Sequence, residues 1–281
     1  MDNCFCWHKA AYFSGKINFT FTRHHKKEKW VDALESQSVS KATITTLFTP
    51  LSPSPKCSFV RLIDEDYPSG LKDLPYAPPI LYYQGQLQCL KRMAVTIVGS
   101  RKSTWLGRQF ATQLAEYTTS KGYCVVSGLA YGIDEAAHRG GLRHTVGIMG
   151  QGILAERRGA RKKLCTEIIR AGGLLISEFP PSMSAQIWTF LHRNRIMAWL
   201  ADIFVLVEAP VRSGAMNTTR IALDTGVPLY VVPHHPLVES AQGGLELLLS
   251  GATPLISVEQ IPSPTDFSQI RNKSEASTQK H

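Results

Sequence analysis

Three short stretches of this chain place small residues where an anion could approach the main chain. The first is Gly99-Ser100-Arg101, the second runs from Ser127-Gly128 to Gly132-Ile133-Asp134, and the third is Ser213-Gly214-Ala215. Gly and Ser allow close approach, and backbone N–H groups at a helix amino end attract phosphate. Arg101 adds a guanidinium, whose planar fork grips phosphate with two donors at once. A fourth stretch, Phe190-Leu191-His192-Arg193-Asn194-Arg195-Ile196, sets two arginines around an asparagine beside an aromatic. On a helix, side chains two positions apart diverge by about 200°. One of Arg193 and Arg195 can therefore face a given ligand, and the other is free to meet a carboxylate, Glu178 or Glu208. A fifth stretch holds Arg157, Arg158, Arg161, Lys162 and Lys163, the densest basic cluster of the core. It reads either as a solvated helix face or as a stripe that tracks phosphates beside the site.

The chemistry these residues offer is binding. No nucleophile, base and orienting group fall together, and no pair of carboxylates stands out for acid–base work. His138 follows Asp134 by one helical turn, a spacing that suits a structural hydrogen-bond partner as well as a base. The G-x-G-x-x-G fingerprint of dinucleotide binding is absent after the first strand. Six cysteines occur without a C-x-x-C pair, so no metal-ligand spacing is legible. The expectation is a protein with no catalytic residue, no cofactor and no metal.

Elements that would position these residues alternate regularly. Strands are expected at 94–98, 122–127, 145–149, 173–177, 202–207, 227–232 and 253–256. Helices are expected between them at 104–121, 132–142, 160–171, 186–200, 215–225 and 243–250. Runs such as Ile203-Phe204-Val205-Leu206-Val207 are apolar on both faces, as strands covered on both sides of a parallel sheet must be. Gly122, Gly172 and Gly226 sit where helices should close. The fold class is α/β, an extended Rossmann-like, doubly wound and mostly parallel sheet.

Composition bounds the rest. Hydrophobic residues make up 43% of the 281, enough for a sizeable core, and the formal net charge of +9 favours an acidic partner. Residues 1–57 read as an irregular basic extension, with 8 Lys/Arg against 4 Asp/Glu in the first 60 positions. Residues 58–261 read as the folded domain and 262–281 as a flexible polar tail. No apolar run reaches the length of a membrane span, no secretory signal pattern is visible, and the cysteine usage suits a reducing compartment. The expected location is cytoplasmic.

Taken in order, the motifs resemble the DprA/Smf (DNA processing protein A) family. The resemblance runs from Asp64-Glu65-Asp66-Tyr67-Pro68 and Ala77-Pro78-Pro79-Ile80-Leu81-Tyr82-Tyr83-Gln84-Gly85 through Val98-Gly99-Ser100-Arg101 and Ser127 to Asp134. It continues through Ile176-Ser177-Glu178-Phe179-Pro180-Pro181, Arg193-Asn194-Arg195-Ile196, Ser213-Gly214-Ala215 and Val231-Val232-Pro233. It implies an extended Rossmann fold that binds single-stranded DNA, forms a homodimer and hands the strand to a RecA-type recombinase in natural transformation. Carried over, Gly99, Ser100, Arg101, Ser127, Gly128, Arg193, Asn194, Arg195, Ser213 and Gly214 would line the strand-binding pocket; Arg157, Arg158, Arg161, Lys162 and Lys163 stand apart as the alternative DNA-tracking stripe read from the basic cluster itself. The sequence departs from the family at four places. The stretch Gly150 to Arg158 lacks the Leu-Asp and Tyr-Pro steps. Trp199 stands where a Gly is usual, His234 where another Gly is, and Gly243-Gly244-Leu245 replaces a Gly-x-Asn. Neither a winged-helix pattern after the domain nor a helical module before it is recognisable. Two rival expectations follow: a nucleoside-monophosphate phosphoribohydrolase-like Rossmann protein, whose Pro-Gly-Gly-x-Gly-Thr-x-x-Glu loop has only Pro210-Val211-Arg212-Ser213-Gly214-Ala215 as a counterpart, and a degenerate homologue with impaired DNA loading.

Overall fold

The computed structural model describes residues 57–62, 64–75 and 77–269. Most of the expected basic extension, residues 1–56, and the chain beyond 269 lie outside the described residues. Nine strands form one sheet: β1 (Ser58–Arg61), β2 (Ile80–Gly85), β3 (Ala94–Gly99), β4 (Cys124–Ser127), β5 (Thr145–Ile148), β6 (Leu174–Ser177), β7 (Ile203–Glu208), β8 (Leu229–Val231) and β9 (Thr253–Pro254). Their order across the sheet is β1-β2-β6-β5-β4-β3-β7-β8-β9. From β6 to β9 all pairings are parallel. β2 runs antiparallel to β6 and to β1, with Tyr82 opposite Ser177 and Phe59 opposite Tyr82.

Helices cover both faces, as the two-sided burial of β4 to β7 requires. They are α1 (Ser69–Lys72), α2 (Trp105–Ser120), α3 (Ile133–Gly140), α4 (Gly159–Arg170), α5 (Ile187–Trp199), α6 (Gly214–Asp224) and α7 (Gln242–Leu249). On one face Leu114 and Ala115 of α2 and Ala137 of α3 pack on Val95, Ile97, Val125 and Val205. Leu164 and Ile168 of α4 extend that layer over Leu175. On the other face Ile196 and Met197 of α5 and Met216 and Ala222 of α6 pack on Val98, Val126, Ile148, Phe204 and Leu206. Each fully buried aliphatic or aromatic side chain contributes about 1.5–3 kcal/mol, so alternate residues of one strand anchor opposite helix layers.

The helix ends obey their local sequence. Thr104 Oγ1 accepts from Gly107 N at 3.0 Å and Ser213 Oγ accepts from Met216 N at 3.2 Å, capping α2 and α6. The glycines that close α2, α4 and α6 take positive φ, +100° at Gly122, +91° at Gly172 and +71° at Gly226. Cys89, Cys124 and Cys165 are buried thiols. Among the described residues no helix is long and apolar enough to cross a membrane.

Two features differ from the sequence expectation. The antiparallel strands β1 and β2 extend the sheet beyond β6, so it is mixed at one end. The polar tail does not begin at Pro262: residues 264–269 are helical, Phe267 is buried against the α2 layer, and Tyr123 Oη donates to Pro262 O at 3.0 Å. One aromatic with a core socket is enough to hold a segment of otherwise polar composition.

The winding sets the place of the site. From β3 the chain steps to β4, β5 and β6 in one direction, then returns to place β7 on the other side of β3. Connections leaving β3 and β7 therefore part to opposite faces and leave a crevice at their carboxyl ends. In an open α/β sheet this is where ligands bind.

Candidate functional site

A cleft of about 620 Å³ lies at that switch point. Gly99, Ser100, Arg101 and Lys102 from the turn after β3 line it, with Arg161 from α4 and Arg193 and Asn194 from α5. Ser213, Gly214 and Ala215 at the amino end of α6 close it, and Ile187, Phe190, Leu191, Met197 and Pro210 give it an apolar wall. Four cations thus share one cleft with an aromatic and aliphatic surface. Its single carboxylate is Asp134, which is buried.

Arg193 forms the floor. It is 5% exposed, its Nη1 donates to Met197 Sδ at 3.0 Å, and its Nε has no hydrogen-bond partner. A buried guanidinium N–H left without an acceptor is costly unless a ligand supplies one. Burial lowers the Arg193 pKa to about 10; Asp134 opposes that shift, and Arg161 and Arg101 add to it. The side chain stays charged at neutral pH. Burial also raises the Asp134 carboxyl, against the pull of Arg193 and of hydrogen bonds from the amides of Ala130, Gly99 and Gly128. Gly128 is what lets these two charges face each other. A Cβ there would sit 1.6 Å from Arg193 Nη1 and 2.8 Å from Asp134 Oδ2. His138 lies one turn along α3, fully buried, with Nδ1 2.7 Å from Thr145 Oγ1. Burial depresses its pKa to about 3, so it is neutral in the folded protein.

The backbone cradles differ from the sequence expectation. At the end of β3, Ser100 N donates to Glu208 O, and the Glu208 carboxylate accepts from Thr104 N at 2.9 Å and Thr104 Oγ1 at 2.8 Å. At the end of β4, Gly128 N and Ala130 N donate to Asp134 Oδ2 at 3.1 and 3.4 Å. After β3, Glu208 takes the Ser100 amide through its main-chain carbonyl and the Thr104 amide through its carboxylate, and after β4 the Asp134 carboxylate takes the amides that sequence reasoning assigned to phosphate. At these two ends the cleft presents cationic side chains, above all Arg101. The third end, Ser213-Gly214-Ala215, lines the cleft directly.

The remaining expected residues divide. Ser127 is fully buried and spends its hydroxyl on Ile97 O at 2.6 Å, bracing β4 to β3. Asn194 points its amide at Gly214 O and Asn217 Oδ1, at 3.5 and 3.4 Å, tying α5 to α6. Arg195 turns away from the cleft and forms an ion pair with Glu178, whose side chain is 2% exposed. Tyr67 lies beside that pair, donating to Pro78 O at 2.7 Å. The basic cluster splits as well. Arg161 reaches the cleft, while Arg157 and Lys162 line a separate cavity between α4 and β2. Arg158 pairs with Glu156 at 2.8 Å, and Lys163 lies 4.0 Å from Glu167. Sequence reasoning missed Lys102 as a lining residue and left Phe190 without a role. Phe190 stands three positions before Arg193, which puts both on one helix face, and that was the available signal. Among the described residues no group of three His, Cys, Asp or Glu could hold a metal ion.

The departures at 199 and 234 fall outside the cleft. Trp199 closes α5 at the amino edge of the sheet, beside Leu200, Asp202 and the start of β3. His234 Nε2 is 2.8 Å from Val207 O and holds the end of β8 to β7.

Fold and cleft together define a doubly wound α/β protein with a cationic groove at its switch point. The chain belongs to the DNA recombination-mediator protein A family, whose pattern matches residues 58–265. It is 35% identical over 210 residues to Protein Smf of Synechocystis, covering 72% of this chain and 52% of that protein. To the DNA processing protein DprA of Bacillus subtilis it is 30% identical, over 72% of this chain and 69% of that one. The chain spans about half the length of the Synechocystis and Escherichia coli relatives, 52% and 55%. Among solved structures, DNA processing protein A of Streptococcus pneumoniae superposes with a TM-score of 0.68 at 28% identity, covering 81% of this chain and 80% of that one. DNA processing protein A of Helicobacter pylori, solved for its single-stranded DNA binding mode, superposes with a TM-score of 0.67 at 28% identity, covering 78% and 97%.

Proposed function

We propose that this chain binds single-stranded DNA in the switch-point cleft and acts, without catalysing a reaction, as a recombination mediator. The strand's phosphates meet Arg101, Lys102, Arg161 and the amino end of α6, and its bases meet the wall that Phe190 and Met197 form. On this reading the protein works as a homodimer in the cytoplasm, shields incoming DNA in natural transformation and hands it to a RecA-type recombinase. One observation carries the reading: Arg101, Arg161 and Arg193 come from three separate elements to one cleft, beside an aromatic wall. A mononucleotide's single phosphate would be met by the amino end of α6 alone; the four cations that line the cleft around it suit a run of phosphates. A flexible polyanion with exposed bases matches cationic side chains and an aromatic surface better than a duplex, whose bases are stacked away.

A gel shift over a series of salt concentrations tests it, with a single strand and the corresponding duplex as probes. The expected result is preferential binding of the single strand that weakens steeply as salt rises. Equal affinity for both forms, or release of free adenine from AMP, overturns it.

A further inference from the structure

We propose that Trp105 and Tyr131 form a stacking platform for bases of a single strand where it leaves the cleft over the Arg101–Lys102 turn. This inference rests on the proposed binding of single-stranded DNA and names a part of that surface which the cleft does not include. Trp105, at the start of α2, is 66% exposed, and Tyr131, in the turn between β4 and α3, is 51% exposed. Large aromatics left in water at that level mark contact surfaces.

The fold brings the two turns that carry them together on rigid supports. β3 and β4 are parallel neighbours, so the turns after them lie side by side at the carboxyl edge. They touch at Gly132, where a Cβ would meet Ser100 O at 2.3 Å and Ser103 Oγ at 3.0 Å, and where φ is +81°. Tyr131 immediately precedes that contact. Trp105 opens α2 just after Thr104, which Glu208 holds through two hydrogen bonds from its amide and one from its hydroxyl. On the Tyr131 side, Ala130 N donates to Asp134 and Glu135 N to Ala130 O at 3.1 Å. The carboxylates that fill the amide cradles therefore also stiffen the two turns. An aromatic on a fixed turn loses little conformational freedom when a base stacks on it.

Charge selects the partner. Arg101, Lys102 and Arg108 are the exposed charged side chains on the β3–α2 side of this surface, and no carboxylate pairs with them among the described residues. The nearby acids are committed: Asp134 and Glu208 are buried, and Glu135 pairs with Arg139 at 2.8 Å. Cations beside open aromatic faces fit phosphates beside unpaired bases. Leu106, 65% exposed next to Trp105, widens the apolar surface, so a second copy of this chain is the competing occupant that the test must separate.

The test measures affinity of the full chain for an oligothymidylate and for an abasic strand of equal length, across a salt series. Trp105→Ala and Tyr131→Ala are each expected to weaken oligothymidylate binding by about tenfold. Trp105→Phe should keep most of the affinity, and the salt slope should stay that of the parent, because no phosphate contact is removed. The preference of the parent for the base-bearing strand should shrink in both alanine variants. Alanine variants that bind like a parent with strong strand affinity overturn the platform and leave the cleft reading intact. A parent that binds no strand overturns both. Sedimentation in which the alanine variants fall from dimer to monomer, with strand affinity per chain retained, assigns the patch to a second copy and also overturns the platform.

Discussion

Arg193 and Arg195 stand two residues apart on α5 and do opposite things. Arg193 is at the floor of the switch-point cleft, with an N–H that the protein leaves without an acceptor. Arg195 is spent on the buried Glu178 and fastens α5 to the end of β6 and to the segment around Pro75. Helix geometry separates the two directions, but the partners decide the roles. Glu178 meets its arginine in direct contact, whereas Asp134 faces Arg193 across Gly128 with its oxygens already held by backbone amides. A carboxylate satisfied by amides leaves its arginine available to a ligand; one that needs the arginine consumes it.

The sharpest way to break this contrast is to remove each guanidinium in turn. Arg193→Ala should lower single-strand affinity by about a hundredfold and, because Asp134 keeps its backbone donors, cost only about 1 kcal/mol of stability. Strand titration and chemical denaturation read the two effects separately. Arg195→Ala should cost more, about 3 kcal/mol, because it strands Glu178 in the interior, yet leave affinity within about twofold when measured on the folded fraction. If both variants lose affinity alike, the division of labour is wrong.

A pH series sharpens the comparison on the Arg193 side. His138 titrates near 6.5 when unfolded and, through burial, at about 3 in the folded protein. Between these values the unfolded chain binds more protons, so stability falls as pH drops through this window. From pH 6.5 to 5 the loss from this group is about 2 kcal/mol. Denaturation midpoints across that range check it, and His138→Gln should flatten the slope. A smaller effect is expected from Gly128→Ala. The added methyl overlaps the Arg193 guanidinium and pushes it out of register, which should weaken strand binding by about tenfold, one decade being about 1.4 kcal/mol. Nuclear magnetic resonance of the arginine N–H groups would register the displacement.

Much of this was legible in the residues. The seven parallel strands and their helices appear within a residue or two of where apolar runs and closing glycines put them. Strands β1 and β2 were not read as strands, because Ser58–Arg61 and Ile80–Gly85 belong to no strand–helix repeat and pair antiparallel at the sheet's end. At the site, Arg101, Arg193 and Ser213 were visible as types suited to phosphate, and the structure places all three on one cleft. The fate of Arg195 was open in the sequence, since Glu178 and Glu208 were equal partners until the fold put Glu208 against Thr104. What composition could not show is that the acids at 134 and 208 would take the amides first. That outcome depends on contacts between residues up to about a hundred positions apart, such as Thr104 with Glu208. The split of the 157–163 cluster has two sources: Arg157 and Arg158 precede α4, and helix phase parts Arg161 from Lys162 and Lys163.

The central claim is that cationic side chains at the switch point, rather than the amides at the ends of β3 and β4, hold the phosphates. Arg101 tests it most directly, because it is exposed and its removal should change stability by less than about 0.5 kcal/mol. The decisive measurement is the slope of log affinity against log salt for a single strand, compared between the parent protein and Arg101→Ala. The account predicts a slope shallower by about 0.7, one counterion's worth, with affinity reduced by about tenfold at moderate salt. An unchanged slope and affinity in a folded Arg101→Ala variant would contradict it.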